Sequence, residues 1–323
     1  MSKPKVIVTR RWPQEAEARL RALFDVTLNV DDRPLDRAAL QRAFRDHDAV
    51  FPTVTDRIDA EAMSAEPLRA RLIGNFGVGF NNIDVAAAKA RGLVVTNTPE
   101  VLTDATADLA MTLLLMTARR AGEGERHVRN KEWSGWRPTH MMGTQVTGKT
   151  LGLIGLGRIG RAMAKRASHG FDMRVIFFDP FPPPAEALQD LGAERRESIE
   201  SVLAEADFVS LHCPATPENF NLMNAARFAA MKDDAILVNT ARGDVVDEAA
   251  LVRALADGRI AGAGLDVFAR EPAVTPELLA MENVVLLPHL GSATRETRTA
   301  MGLRVIENAE AFFAGKEPRD RVA

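Results

Sequence analysis

Thr150-Leu151-Gly152-Leu153-Ile154-Gly155-Leu156-Gly157-Arg158-Ile159-Gly160 decides the reading of this chain: an apolar, strand-like run enters three spaced glycines and leaves them as a helix. Gly155 permits the tight turn, Gly157 lets backbone approach a pyrophosphate, and Gly160 lets the helix pack closely on the strand. The amide end of such a helix attracts phosphate. A second strand-like run ends at Asp179, 19 residues after Gly160. A carboxylate there accepts hydrogen bonds from the adenine ribose hydroxyls and repels a 2′-phosphate. The next basic residues, Arg195 and Arg196, are placed a helix away on this reading, with nothing local to hold that phosphate. The expected cofactor is NAD, with NADH preferred over NADPH.

Outward from this unit, strand-like and helix-like stretches alternate, the pattern of an α/β protein with parallel sheets. Before it, Val6–Thr9, Val26–Leu28, Ala49–Pro52, Leu72–Asn75 and Val94–Thr96 read as strands separated by helices such as Gln14–Leu23, which suggests a small flavodoxin-like sheet. A long helix is expected from Thr103, with Thr103 or Asp104 as cap, to about Gly122, followed by a polar segment carrying Trp133 and Trp136. After Thr147 the expected strands are Thr150–Ile154, Arg174–Phe178, Phe208–Leu211, Ala235–Asn239, Gly264–Leu265 and Val284–Leu287. An amphipathic last helix, about Arg295–Phe313, should cross back to the first unit. Pro180–Pro184 reads as a rigid surface loop, and no solenoid repeat or low-complexity segment is present.

Composition narrows the function. The 323 residues, 46% of them hydrophobic, suit two packed domains. The longest apolar run, Leu109–Ala118, is too short to cross a bilayer, which argues against a membrane partner. Val6–Thr9 followed by two arginines is not the layout of a signal peptide, so the expected location is cytoplasmic. Cys213 is the only cysteine, which excludes an intramolecular disulfide and argues against a metal site. A net charge of -3, with acidic and basic residues alternating, lacks the basic stripe of a nucleic-acid binder.

Reduction of a carbonyl needs a hydride donor, a proton donor and a cation beside the oxygen. Arg242, in Asn239-Thr240-Ala241-Arg242-Gly243, and His289, in Pro288-His289-Leu290-Gly291-Ser292-Ala293-Thr294, each follow a strand, where doubly wound sheets place ligand-contacting groups. Glu271, in Phe268-Ala269-Arg270-Glu271-Pro272, could accept a hydrogen bond from His289 and favour its charged form. Taken singly, each has a bland alternative: a surface ion pair, a satisfied neutral ring, a Glu-Pro turn. Spacing alone does not decide between them.

Together, Gly155–Gly160, Asn239–Gly243, Gly262-Ala263-Gly264-Leu265-Asp266-Val267 with Glu271-Pro272, and Pro288–Thr294 resemble the D-isomer-specific 2-hydroxyacid dehydrogenase family. The resemblance runs from about Lys5 to Gly315. It implies two doubly wound parallel-sheet domains, with a Rossmann NAD-binding domain (99–289) inserted into a flavodoxin-like substrate domain (1–98 and 290–323). It implies His289 as proton donor, Glu271 as its partner and Arg242 as carboxylate clamp. Asp266 is implied to hold the nicotinamide amide and Thr106, Arg158 and Ile159 to touch the pyrophosphate, with Pro214 near the adenosine and Thr240 also a cofactor contact. The amides of Asn75-Phe76-Gly77-Val78-Gly79 are implied to bind the substrate carboxylate, with Val54 lining the same pocket. The family also implies a homodimer, in which Trp136 reaches the partner's substrate pocket.

Within the family, Asn97–Asp104 and Trp133–Pro138 are most similar to glyoxylate/hydroxypyruvate reductases, which imply a small 2-oxo acid such as glyoxylate or hydroxypyruvate as substrate. Many of those reductases carry a basic residue after the second strand, where this chain has Asp179-Pro180. Two alternatives stand beside this reading. One is a short phosphoglycerate-type dehydrogenase, since no regulatory domain follows Ala323. The other is a non-catalytic NAD(H)-sensing protein similar to the corepressors that share this fold. Formate dehydrogenases depart further, with glutamine where Glu271 stands.

Overall fold

Alternation sets the first strand: in β1 (Lys5–Val8) Val6 and Val8 are fully buried while Lys5 and Ile7 keep some exposure. The computed structural model describes residues 3–323. After β1 come α1 (Gln14–Leu23), β2 (Asp25–Thr27), α2 (Arg37–Asp46), β3 (Ala49–Phe51), β4 (Leu72–Gly74), α3 (Val85–Ala90) and β5 (Val94–Thr96). The five strands are parallel in the order β2-β1-β3-β4-β5, the flavodoxin-like arrangement expected from the sequence. β3 and β4 are buried on both faces, as parallel strands covered by helices must be.

A second unit spans Thr103–Ser292. Its first helix, α4 (Thr103–Ala118), is shorter than expected: Arg120 turns left-handed at φ 51° and α5 (Ala121–Arg129) begins as a separate element. The cause lies in the returning chain. The Thr144 amide donates to the Ala118 carbonyl at 2.8 Å, and Gly143 packs so closely that a Cβ there would lie 2.3 Å from that oxygen. The stop was invisible locally because it depends on residues far along the chain.

The Rossmann sheet follows as β6 (Thr150–Ile154), α6 (Arg158–Phe171), β7 (Arg174–Phe178), α7 (Glu186–Gln189), β8 (Ala193–Arg195), α8 (Ile199–Glu205), β9 (Phe208–Leu211), α9 (Ala225–Ala230), β10 (Ile236–Asn239), α10 (Glu248–Ala256), β11 (Gly262–Leu265), α11 (Pro276–Leu279) and β12 (Val284–Leu286). Seven parallel strands lie in the order β12-β11-β10-β9-β6-β7-β8, so the direction of winding reverses between β6 and β9. At such a switch point the carboxyl ends of the strands open a crevice. One core cluster packs α4 and α6 on the sheet through Leu113, Leu114, Met163 and Ala167; the other packs α8, α9 and α10 through Leu203, Phe228 and Leu251. A large apolar side chain of this kind contributes about 1.5–3 kcal/mol when fully buried.

β11 is longer than expected, because Gly262 and Gly264 are chosen for space: a Cβ on either would come within 3.0 Å of Thr117, and on Gly264 equally close to Leu113. β8 was not anticipated; Ala-Glu-Arg at a sheet edge carries no apolar signal.

The last helix, α12 (Arg295–Phe313), returns to the first unit, which comprises Met1–Leu102 and Ala293–Ala323. It buries a stripe including Met301, Val305 and Ile306 and packs on α1 and β4. The division at Leu102 and Ser292 lies a few residues beyond the boundaries read from sequence, since α4 starts at Thr103 and Gly291 is still tied to the second unit. Among the described residues no helix is long and apolar enough to cross a membrane, and no group of His, Cys, Asp and Glu is placed to hold a metal ion.

Candidate active site

The three glycines after β6 meet three different demands. Gly155 has φ 92°, and a Cβ there would lie 2.9 Å from the His212 and Cys213 backbone. Gly160 sits at the start of α6, where a Cβ would come 2.4 Å from the Gly155 oxygen. At Gly157 nothing lies within 4 Å, so the amide end of α6 opens on free space. Gly157 is also the N-cap and supplies no side chain to that helix end. A tight turn, a close crossing and an open face are what a bound pyrophosphate requires.

Around this loop the other expected cofactor residues fall into place unevenly. Asp179 follows β7, and its carboxylate accepts the Leu156 amide at 2.7 Å and the Phe181 amide at 2.8 Å. Arg158 and Ile159 form the first turn of α6, and Pro214 lies exposed in the loop after β9. Thr240 is buried and its hydroxyl has no protein partner, which suits a polar ligand atom. The Thr106 hydroxyl donates to the Gly291 carbonyl at 3.2 Å, which joins α4 to the loop after β12. These features fit a dinucleotide.

The catalytic candidates come together on the same sheet edge, after β10, β11 and β12. His289 Nδ1 lies 2.8 Å from Glu271 Oε2, leaving Nε2 for another partner. Glu271 Oε1 also accepts the Phe268 amide at 3.1 Å. Burial alone would raise the Glu271 pKa, but the hydrogen bond and charge of His289, the Phe268 amide and the Arg242 charge carry it below the ordinary glutamate value. Arg242 has no carboxylate within ion-pair distance among the described residues; its Nη1 donates to the Ala241 carbonyl at 2.7 Å. Burial draws its pKa down, opposed by the charges of Glu271 and Asp244. A desolvated guanidinium without a carboxylate favours an arriving anion.

Residues outside the expected set hold these groups in place. Asn239 accepts the Ala241 amide and donates to the Arg242 carbonyl, both at 2.9 Å, which shapes the turn that carries Arg242. Gly243 packs against the Phe268–Ala269 backbone, with a would-be Cβ only 1.9 Å from the Phe268 carbonyl carbon, so the arginine turn and the Glu271 loop are pressed together. Glu248 accepts the Ala269 amide at 2.7 Å and bonds the Thr275 hydroxyl. Asn239 and Gly243 were visible as letters of a motif, but only the packing reveals their work.

Asp266, expected to contact the nicotinamide amide, is almost wholly buried, and its carboxylate accepts the Leu290 amide at 2.6 Å and the Gly291 amide at 2.8 Å. Burial raises its pKa despite these two bonds.

In the first unit, the loop after β4 is held by Asn75, whose amide donates to the Gly77 and Gly79 carbonyls, and by Asn82, which donates to Thr53, Asp56 and Asn75. The Phe76 and Gly77 amides donate to Pro52 and Asn75, and the Phe76 ring packs on Trp12 at 4.8 Å. The expectation that amides throughout 75–79 bind a carboxylate is therefore narrowed: among the described residues only the Val78 and Gly79 amides in Phe76–Gly79 donate to no protein acceptor. Val54 lies against Gly77, 2.8 Å from its would-be Cβ. Trp136 is 82% exposed.

Arg195 does lie a helix away from Asp179 along the chain, beyond α7, but β8 pairs with β7 and sets Arg195 opposite Phe177, so its Nη2 lies 3.5 Å from the Asp179 carbonyl and a basic residue is local after all.

A dinucleotide cradle at the switch point, with a histidine–carboxylate pair and a cation that has no carboxylate partner on neighbouring strand ends, is the machinery of a nicotinamide-dependent oxidoreductase acting on a CH–OH group. Comparison with known proteins makes this specific. Residues 111–291 match the D-isomer specific 2-hydroxyacid dehydrogenase NAD binding domain. The chain is 45% identical to the glyoxylate reductase of Thermococcus litoralis over 99% of this chain and 97% of that one. Among solved structures, a Thermus thermophilus protein superposes with a TM-score of 0.90 at 44% identity, covering 99% of this chain and 100% of that one. The NADPH-dependent glyoxylate/hydroxypyruvate reductase of Sinorhizobium meliloti, solved with NADP and malonate, gives 0.88 at 36% identity, covering 100% and 97%. The chain belongs to the D-isomer specific 2-hydroxyacid dehydrogenase family.

Proposed function

We propose that this enzyme reduces a small 2-oxo acid, glyoxylate or hydroxypyruvate, to the D-2-hydroxy acid, and that it prefers NADH to NADPH. The observation that carries the reading is the His289–Glu271 pair beside an arginine that has no carboxylate of its own. The substrate assignment draws on the glyoxylate reductases to which the chain is similar. The NADH preference rests on Asp179.

When bound, the reduced nicotinamide supplies a hydride. Protonated His289 gives the proton on Nε2 to the carbonyl oxygen as the carbon–oxygen π electrons move onto that oxygen, and the imidazole is left neutral. Glu271, held by the Phe268 amide, orients the ring through Nδ1. Arg242 pairs with the substrate carboxylate and steadies charge growing on the oxygen. The amides of Val78 and Gly79 take part in holding the carboxylate. In this assignment the glycine loop, Thr106, Arg158, Ile159, Asp179, Pro214, Thr240 and Asp266 serve the cofactor in a dinucleotide-binding unit, and the unit built on β1–β5 serves the substrate.

Initial rates with NADH and with NADPH against glyoxylate, hydroxypyruvate, pyruvate, phenylpyruvate and 3-phosphohydroxypyruvate test this. Highest kcat/KM for glyoxylate or hydroxypyruvate with NADH is expected. Preference for the phosphorylated acid would move the assignment to a phosphoglycerate-type enzyme, and no turnover across the panel would favour an NAD(H) sensor.

We also propose a homodimer, with Trp136 reaching the partner's substrate pocket; the exposure of Trp133, Trp136, Val128 and Met142 supports it. If Trp136→Ala leaves the ranking of substrates unchanged, the cross-subunit role is wrong.

A further inference from the structure

Three arginines lie on or beside β7 and the edge strand β8, and they are not equivalent. Arg174 pairs with Glu194 and Glu205, and Arg196 pairs with the same two carboxylates at 3.2 and 2.6 Å. Arg195 points to the other side of the strand, as alternation requires, is exposed, and has no carboxylate within ion-pair distance among the described residues. Its guanidinium makes the 3.5 Å bond to the Asp179 carbonyl. The Asp179 carboxylate meanwhile spends one oxygen on the Leu156 amide and the other on the Phe181 amide. Two backbone dipoles thus offset part of its charge.

We propose that Arg195 is a 2′-phosphate-binding residue, so that the site accepts NADPH as a second cofactor with Asp179 and Arg195 acting in opposition. The proposal rests on reading Asp179 as the ribose partner. A planar guanidinium can take two phosphate oxygens, and this arginine stands beside the backbone of the residue whose side chain marks the ribose. Asp179 weakens a 2′-phosphate without excluding it, because its carboxylate is already solvated by two amides.

The test is binding rather than turnover. Calorimetry with adenosine 2′,5′-bisphosphate and with 5′-AMP, at low ionic strength, gives an affinity ratio for each variant. Arg195→Ala should shift that ratio against the bisphosphate by about 10-fold, and Arg195→Lys by less, since the charge stays and the fork is lost. Asp179→Asn should shift it towards the bisphosphate and weaken 5′-AMP. If Asp179→Asn behaves so but Arg195→Ala leaves the ratio unmoved, the arginine has no part in phosphate recognition and the proposal fails alone. If Asp179→Asn leaves 5′-AMP affinity unchanged, the ribose assignment beneath it fails. The ratio of kcat/KM for NADPH to that for NADH should follow the same order.

Discussion

Asp266 brackets His289: its carbonyl oxygen accepts the His289 amide at 2.9 Å, and its carboxylate takes the amides of the next two residues. His289 itself has φ 54°, a left-handed conformation that a non-glycine residue adopts only when its surroundings hold it there. The buried aspartate fixes the backbone that aims the ring, the ring assigned as proton donor in the proposed mechanism.

Asp266→Asn replaces one acceptor oxygen by a donor that faces a backbone N–H. We expect a loss of about 1–3 kcal/mol in unfolding free energy, the cost of leaving a buried donor unmet. A fall in kcat should accompany it. Urea unfolding and single-turnover rates check both, and a variant of parental stability and rate would show that the bracket is idle.

Gly243→Ala tests the contact between the arginine turn and the Glu271 loop. A Cβ would lie 1.9 Å from the Phe268 carbonyl carbon and 2.1 Å from its oxygen, distances that only backbone movement can relieve. Overpacking of this kind costs about 1–3 kcal/mol or more. Because the displaced segments carry Arg242 and Glu271, activity should fall further than stability explains. Parental kcat in a folded Gly243→Ala protein would contradict this.

The sequence made the doubly wound fold legible because glycine spacing, apolar runs and Asp179 all agree on one register. Arg242, Glu271 and His289 were singled out through the family resemblance, since a charged residue after a strand reads equally well as a surface ion pair, a neutral ring or a turn. What stayed hidden depended on residues far along the chain. The end of α4 at Ala118 is set by Gly143 and Thr144, and β8 exists because of its pairing with β7 rather than any property of Ala-Glu-Arg. That pairing is what returns Arg195 to the side of β7 after α7. The supports Asn239, Glu248, Asn75 and Asn82 were unreadable for a related reason: an amide or carboxylate in a loop reads as solvated until its backbone partners are known.

His212 gives a prediction about acid stability. Part of the residue remains exposed, but the ring is enclosed behind the glycine loop, with Nε2 2.9 Å from the Ser210 hydroxyl, and desolvation draws its pKa down to about 4. An unfolded histidine titrates near about 6.5. The folded form binds its proton less readily, so the neutral ring's contribution is fully present above about pH 6.5 and is lost as pH falls towards about 4. Unfolding between those values should take up a proton. His212→Asn should flatten the decline in stability from about pH 7 to about pH 5, as read from urea midpoints at each pH; an unchanged slope would place the acid sensitivity elsewhere.

The most direct prediction concerns the pair at the centre of the site. His289 Nδ1 is committed to Glu271, so in the proposed mechanism the proton comes from Nε2, and no other imidazole occupies the strand ends after β10, β11 and β12 among the described residues. His289→Asn should lower kcat by about 10²–10⁴, the usual worth of a positioned acid, while NADH affinity measured by fluorescence stays close to that of the parent. Glu271→Gln keeps the size of the side chain and replaces an anionic acceptor of the ring by a neutral one, so kcat should fall across the pH profile. The acid side carries a sign of its own. Since the Glu271 pKa is held below the ordinary glutamate value, chiefly by His289 against the effect of burial, the carboxylate stays ionised as pH drops through the usual range, and any loss of rate from its protonation should begin only beneath that range. Arg242→Ala should act differently again, raising KM and lowering kcat together, because the proposed mechanism sets the guanidinium against both the bound carboxylate and the transition state. A pH profile of kcat for the three variants with NADH saturating separates these effects. Near-parental turnover in His289→Asn would remove the histidine from proton transfer, and a Glu271→Gln profile that superposes on the parent would reduce the 2.8 Å contact to a structural one.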